Sequence, residues 1–582
     1  MRRPASWRES TFVWALAGGV ALYVAFPPCG LWPLAWVAPI PWLILVERPQ
    51  WPGRRPWLAL WAASAAHWLA MLQGIRLAHW ANYFGWLALS LYIAVYLPVF
   101  IGLARVAVHQ CRLPLLVAAP VVWTGLELAR GHLITGFSMA LLGHTQRDWV
   151  CLIQISDLFG AYGVSFLVMF GAACLTRMRP FAVRRSFLRP LILLVAAMTG
   201  VLGYGCYRLR FSAAASSRPA TVRVALIQAS VDKVFEYDPQ RSIDTFLQYR
   251  GLALQARDRH PDLDLIVWPE SVFTGVTPEL LAEHGLLSSP HSALSDDERR
   301  YLERAIAAFE QKTQDTAARI NRTVRGGQKR RLNIHQIVGH ETVVYLGQGR
   351  FREHNAALLL DPSGKVAGRY YKMHPVMFGE YVPFGDVFPW LYRLTPLPQG
   401  LTPGDAPAAF DVRGIRFSPS ICFESTVPHL IRRQVAELRR RGAPPDVLVN
   451  VTDDGWFWGS SILDFQATCA AFRAVELRRP FLVAANTGIS AWIDGDGRIR
   501  QLSPRRTTHI IVADVRPDGR RSVYETLGDL PAGICLAACL AFAAAHFGSR
   551  WKTLAEPPEG CRGKEILRAT RKSEPAGGSV KR

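Results

Sequence analysis

The chain is short of acid and short of charge. Charged residues are 19% of its 582 positions, and 45 acidic side chains face 67 basic ones, a formal net charge of +22. Its ten cysteines include no CxxC pair and no metal-ligand spacing, which argues against a zinc site or a dithiol redox centre. Most of them, Cys29, Cys174, Cys535 and Cys539 among them, lie in apolar stretches and read as small core residues. Only Cys422 and Cys469 fall in the polar middle of the chain, free or joined to each other. A cleavable signal peptide is disfavoured, because the first apolar stretch has no convincing small-residue cleavage site and further apolar stretches follow at once. What is abundant is apolar: half the residues are hydrophobic and 19 are tryptophan. The basic residues gather in short loops and at the C-terminus, a placement that fits a membrane protein better than a nucleic-acid binder.

Candidate spans are 11–26, 32–46, 57–73, 84–106, 113–130, 151–176 and 187–207, several close to the ~20 residues that cross a bilayer as helix. Loops carrying Arg2, Arg3 and Arg8, then Arg48, Arg54 and Arg55, then Arg105 and Arg112, and last Arg177 to Arg189 alternate with loops that hold only Arg76, Arg130 and Arg147. The basic set is expected in the cytoplasm, so the chain after Phe211 emerges on the outer side. Glu127, His132 and His144 flank Thr135-Gly136-Phe137 and are read either as anchors of helix ends or as functional groups. A linker at 212–220 follows. Strands are then expected at 222–227, 263–267, 336–345, 356–360, 366–371, 415–421, 446–451, 481–485, 491–493 and 509–515. Helices are expected at 242–257, 295–320, 427–441 and 464–478, the second opened by the capping box Ser295-Asp-Asp-Glu298. Alternating strands and helices predict a layered α/β domain. Thr323 to Arg331 reads as a solvated basic loop, and 530–547 as an eighth span. A basic tail, 548–582, is expected to be disordered.

Three strand ends carry chemistry. Ser418-Pro-Ser-Ile-Cys422-Phe423-Glu424-Ser425 ends a strand in a cysteine and leads into a helix, a corner that suits a nucleophile. Trp268-Pro269-Glu270-Ser271 ends a second strand in a glutamate. Tyr370-Tyr371-Lys372 ends a third and runs on to Phe378-Gly-Glu380-Tyr-Val-Pro-Phe384-Gly385. A thiol attacks an acyl carbonyl as thiolate. Glu270 can take its proton if burial raises the carboxyl pKa. Lys372 and the Phe423 backbone N–H can hold the oxyanion. Glu380 and Glu424 read as partners of Lys372 or of nearby arginines. The set permits acyl transfer or hydrolysis through a thioester, with no metal and no cofactor. Met373, Met377, Phe378, Phe384, Trp456 and Trp458 are read as a water-excluding cover or as core.

Taken in this order, the sequence resembles the apolipoprotein N-acyltransferases, the membrane branch of the nitrilase superfamily, over nearly its whole length. Phe26-Pro-Pro-Cys-Gly-Leu-Trp-Pro-Leu-Ala-Trp36, Thr135-Gly136-Phe137 and Gly160-Ala-Tyr162-Gly-Val-Ser165-Phe166 carry the likeness in the membrane part. Asn450 to Phe457 carries it in the globular part. The resemblance implies eight membrane helices plus an α/β nitrilase-like domain, an α-β-β-α sandwich. Seven spans would lie within 1–211, the catalytic domain at 219–518 on the periplasmic side of the bacterial inner membrane, and the eighth span at 530–547. It implies catalytic Glu270, Lys372 and Cys422, supporting Glu380, Glu424 and Phe423, and substrate contacts from Gln228, Tyr237 and Trp456. It further implies a monomer that moves an acyl chain from a phospholipid, through Cys422, to the α-amino group of a diacylglyceryl-cysteine at a lipoprotein N-terminus. The alternative is a membrane-tethered amidase that passes the acyl group to water. Departures from the family pattern are Ser138-Met139, Glu236-Tyr237, Phe465-Gln466, Asp453, the missing arginine near Thr526 and a long segment from Leu281 to Leu332.

Overall fold

The structure is a computed structural model that describes residues 10–51, 53–77, 79–178, 184–210, 221–232, 238–283, 294–325, 328–385, 387–394 and 399–555. The expected linker at 212–220, Tyr237 and the tail beyond Ala555 lie outside the described residues. Apolar helices occupy each stretch read as a span. Four of them, Asn82–Gln110, Ser156–Arg177, Phe187–Arg210 and Leu530–Gly548, are long and apolar enough to cross a membrane by length and composition. Thr11–Ala25, Pro56–Met71 and Leu115–Arg130 are shorter. A break at Gly160, φ 67°, interrupts the helix Ser156–Arg177, a backbone angle that glycine adopts without steric cost. Only 6% of the apolar window of Phe187–Arg210 and 11% of that of Leu530–Gly548 is buried inside the protein. Their apolar side chains are left to face lipid. The last helix continues to Ala555, past the expected end at 547.

The globular part is built on two sheets. One runs in the order β15-β1-β2-β6-β7-β8, with β3 beside β6. Its strands are β1 Val222–Gln228, β2 Leu265–Val267, β3 Glu279–Ala282, β6 His335–Gly347, β7 Arg350–Leu360, β8 Val366–Tyr371 and β15 His509–Val515. The other runs β14-β13-β12-β11-β10-β9, from β9 Phe410–Val412, β10 Ile415–Ile421, β11 Val447–Thr452, β12 Phe481–Ala485, β13 Ala491–Ile493 and β14 Ile499–Leu502. Alternate residues of the facing strands, Val222, Val224 and Leu226 on one sheet and Val447, Val449 and Val451 on the other, bury a shared core. The period of two makes this possible, since successive side chains point to opposite faces. The outer faces are covered by helices. Pro239–Arg259 and Asp296–Asn321 cover the first sheet through Phe246, Tyr249 and Phe309. Pro428–Arg440 and Ile462–Leu477 cover the second through Ile431, Val435 and Ala474. The result is the expected α-β-β-α sandwich.

Ser295 and Glu298 form the expected capping box. The basic stretch read as a loop is instead a hairpin, β4 Arg322–Arg325 paired with β5 Gln328–Arg331. Its charge hid the alternation by which strands are recognised. Cys29 is exposed rather than buried, because it sits in the turn after Pro27-Pro28.

Sandwich and bundle are joined by buried ions. Helix Ile462–Leu477 ends at Arg478, whose φ of 50° is a left-handed cap. The Arg478 guanidinium is wholly buried and meets Asp157 of the membrane helix Ser156–Arg177 at 2.5 Å. Arg208, 2.8 Å from the same carboxylate, joins the pair. A buried ion pair is strongly destabilised when one partner is lost. Asp157→Ala is therefore expected to destabilise the full-length protein by about 3 kcal/mol, read as a lower thermal midpoint in nanodiscs. An unchanged midpoint contradicts this role.

Candidate active site

β2, β6 and β8 point the same way, since β2 pairs parallel with β6 while β7 lies antiparallel to both β6 and β8. Their C-terminal ends therefore share one edge. Glu270 follows β2 at that edge and Lys372 follows β8 directly. Cys422 follows β10 of the facing sheet. These turns lie at the carboxyl ends of parallel strands, where α/β sheets commonly place their ligands.

Lys372 is 2% exposed, and its ammonium lies 2.7 Å from Glu380 Oε1 and 3.4 Å from Glu270 Oε1. Burial opposes the charge, but Glu380 and Glu270 together hold the Lys372 pKa well above its ordinary value. Glu270 is oriented by two further donors: Asn355 Nδ2 at 2.6 Å to Oε1 and the Asp453 backbone N–H at 2.8 Å to Oε2. Burial raises the Glu270 pKa; Lys372 opposes the rise and Glu380 adds to it. Cys422 is half-buried. Burial and then the Glu270 carboxylate push its thiol well above the usual range, with Lys372 pulling the other way. At rest the sulfur is a thiol, and such a group becomes a strong nucleophile only when its proton leaves.

The turn that presents the thiol is tightly specified. Cys422 has φ 53°, a left-handed angle rare for a residue with a Cβ and typical of strained functional corners. Glu424 holds it there. Its Oε2 accepts from the Ile421 backbone N–H at 2.7 Å and from the Tyr370 hydroxyl at 2.8 Å, while its Oε1 accepts from the Met373 and His374 backbone N–H groups at 2.6 and 3.0 Å. One carboxylate thus ties the cysteine turn to both sides of Lys372. Asn450 Nδ2 donates to the Cys422 carbonyl at 3.2 Å. Phe423, next to the thiol, packs against the apolar cluster that the helix bundle shares with helix Ile462–Leu477 and stacks on His374.

Gln228 is fully buried, with Nε2 donating to the Pro504 and Thr507 carbonyls and Oε1 accepting from the Ser490 and Ser503 hydroxyls. Its hydrogen-bonding capacity is spent on joining loops. Tyr237 lies outside the described residues. Trp456 is half-buried in the turn Asp454–Phe457. Neighbouring Asp454 is buried and raised to about 7 by that burial. Cys469 is buried and free and Cys422 is free as well, so the two are not joined. Phe378, Phe384 and Trp458 are 54%, 74% and 52% exposed, which removes core packing as their explanation.

Sequence reading missed Lys312. It sits within the long segment 281–332, on the helix Asp296–Asn321, and its ammonium donates to the Phe273, Thr274 and Thr277 carbonyls at 3.3, 3.1 and 2.5 Å. The rings of Phe273 and Phe309 lie 5.1 and 5.2 Å away. Burial lowers its pKa to about 7. This cation clamps the loop that leaves Glu270. No local pattern announces it, since a lysine in a charged helix reads as solvated. Lys312→Met is expected to slow alkylation of Cys422 by iodoacetamide roughly tenfold, because it frees the loop that holds the Glu270 carboxylate near the thiol. Peptide mass spectrometry reads the rate, and an unchanged rate contradicts the clamp.

Known proteins bear on this site. The family model for the apolipoprotein N-acyltransferase N-terminal domain matches residues 18–174, and that for carbon-nitrogen hydrolase matches 223–525. The apolipoprotein N-acyltransferase of Rhodopirellula baltica is 33% identical over 552 residues, covering 90% of this chain and 95% of its own. That of Geobacter metallireducens is 33% identical over 546 residues, covering 92% and 95%. A nitrilase-superfamily amidase from Nesterenkonia AN1 covers 51% of this chain and 92% of its own at 16% identity, with a TM-score of 0.32. With both parts of the chain matched and relatives aligned from end to end, this protein belongs to the apolipoprotein N-acyltransferase family and is an acyltransferase of the carbon-nitrogen hydrolase superfamily.

Proposed function

We propose that the protein carries an acyl chain from a phospholipid to the α-amino group of a lipoprotein's N-terminal diacylglyceryl-cysteine, by way of a thioester on Cys422. The observation that carries the reading is Lys372, buried between Glu270 and Glu380, beside a cysteine turn whose Phe423 packs against the apolar cluster that the helix bundle shares with helix Ile462–Leu477. A thiol held there meets lipid without the acyl chain crossing water.

The steps follow from the groups present. Glu270 takes the Cys422 proton as the sulfur attacks the ester carbonyl. Two of the three Lys372 N–H groups are committed to carboxylates, and the third is available to the oxyanion, with the Phe423 N–H as a second donor. The C–O ester bond breaks, and Glu270 returns its proton to the departing glycerol oxygen. The amine then attacks the thioester, Glu270 takes the amine proton, and the Cys422 sulfur leaves and regains it. Phe378, Phe384 and Trp458 cover the site and keep water from the thioester. The arginine loops support a catalytic domain on the periplasmic side of the inner membrane, and a single chain contains every group named.

Membranes with labelled phospholipid test the reading. Label should pass to a diacylglyceryl peptide, while label released mainly to water indicates the amidase. Cys422→Ala should abolish transfer, and Glu270→Gln should slow it by about 10²–10⁴. The pH profile carries a sign. Glu270 is a base only above its raised pKa, so kcat/KM falls as pH drops through that value. Glu380 contributes to the rise, and without its charge Lys372 is left to Glu270 alone. Glu380→Gln should move the acid limb to lower pH; a move to higher pH contradicts the assignment.

A further inference from the structure

Two thiols from segments distant in sequence meet where the helix bundle joins the sandwich. Cys151 lies in the short helix Val150–Ile153, and Cys206 lies near the end of the helix Arg184–Arg210. Both are thiols in this structure, with their Sγ atoms 3.4 Å apart. A disulfide needs about 2.05 Å, so closure asks the sulfurs to approach by roughly 1.4 Å, the scale of a side-chain rotation.

The backbones are already near enough. A Cβ at Gly205 would come within 1.9 Å of the Cys151 carbonyl oxygen and 2.9 Å of its sulfur, so the bare glycine is what lets the two helices touch. The Cys151 thiol donates to the Leu202 carbonyl at 3.4 Å, and Leu202 shares a helix face with Cys206, four residues on. Both sulfurs can be reached, since Cys206 is exposed and Cys151 half-buried.

Neighbouring residues set the level of the pair. Asp148, three residues before Cys151, has a 65% exposed side chain paired with Arg147. Arg208, two residues after Cys206, pairs with Asp157. Its Nη2 donates to the Arg521 carbonyl at 3.0 Å, and Arg520 Nη1 donates to the Arg208 carbonyl at 3.0 Å. The thiols therefore sit at the polar rim of the bundle and not in the middle of an apolar span.

We propose that Cys151 and Cys206 are joined as a disulfide in the membrane-inserted protein. The inference rests on the orientation given under the proposed function, which puts this rim in the periplasm, where disulfides persist. The oxidant is a protein disulfide of the thiol-oxidase class. The Cys206 thiolate attacks one sulfur of that disulfide and expels the other. The Cys151 thiolate then attacks the Cys206 sulfur and expels the oxidant's remaining thiolate. Two electrons pass to the oxidant, and the two protons lost by the cysteines match the two it takes up as a dithiol. The new bond closes a loop around the whole of Ser156–Arg177, the helix whose Asp157 receives Arg478 and Arg208. It restricts the unfolded chain and fastens the end of Arg184–Arg210, from which the catalytic domain departs, to the bundle.

The test uses the full-length protein made in bacteria. Cells are quenched in acid and alkylated with N-ethylmaleimide, so that no thiol oxidises after lysis, and the protein is digested without reductant. Peptide mass spectrometry is expected to find the Cys151 and Cys206 peptides joined in most chains, two hydrogens lighter than their sum. In Cys206→Ser, Cys151 should be alkylated without reduction. Alkylation of both cysteines in most wild-type chains overturns the proposal, as does a Cys151 that stays blocked in Cys206→Ser. Spheroplasts reduced and then treated with a membrane-impermeant maleimide separate this failure from that of the orientation. Label on Cys206 is expected, and its absence overturns the orientation and the proposal with it.

Discussion

A buried ammonium is the constraint around which the catalytic corner is arranged. An isolated charge in a protein interior is too costly to keep, and Lys372 is almost wholly buried. It stays charged because two carboxylates come to it from separate turns, Glu270 after β2 and Glu380 in the loop that follows Lys372 itself. Those carboxylates are in turn fixed by Asn355, by the Asp453 N–H and by the Val376 N–H. Removing Lys372 leaves two buried carboxylates side by side with no cation between them. The same arrangement explains why the thiol rests protonated: beside one cation stand two carboxylates, and the thiolate is favoured only when Glu270 takes up the proton.

The turns of this corner are set against one another by buried side chains that reach across to backbone groups. Glu424 spans the gap between the two sheets with four accepted hydrogen bonds and so sets the cysteine turn against the lysine turn. Lys312 does the same for the glutamate turn from the outer helix layer. The membrane side contributes as well. Phe423 packs against an apolar cluster shared by the bundle and helix Ile462–Leu477, and Arg478 buries its charge against Asp157 of a membrane helix. The sandwich is thus seated on the bundle.

Much of this was legible in the sequence. Short apolar runs marked β1, β10 and β12, and each long apolar run became a helix. The strand-end positions of Glu270, Lys372 and Cys422 were visible because a polar residue at the end of an apolar run is conspicuous. What could not be read depends on distant contacts. Gln228 matched a pattern and proved to be a hydrogen-bonding hub for loops nearly three hundred residues away in sequence. Lys312 looked like surface charge, and only the approach of the 273–277 loop makes it a clamp. The hairpin at 322–331 was hidden by its arginines. Nothing local showed that Cys151 and Cys206 would meet.

The account stands on a single covalent intermediate. The most direct measurement is peptide mass spectrometry of the purified protein after brief incubation with a phospholipid of defined chain length. The account predicts that chain as a hydroxylamine-labile adduct on Cys422, absent from Lys372→Met and discharged by a diacylglyceryl peptide faster than by buffer. An acyl group on another residue, or transfer that proceeds with Cys422 unmodified throughout, would contradict it.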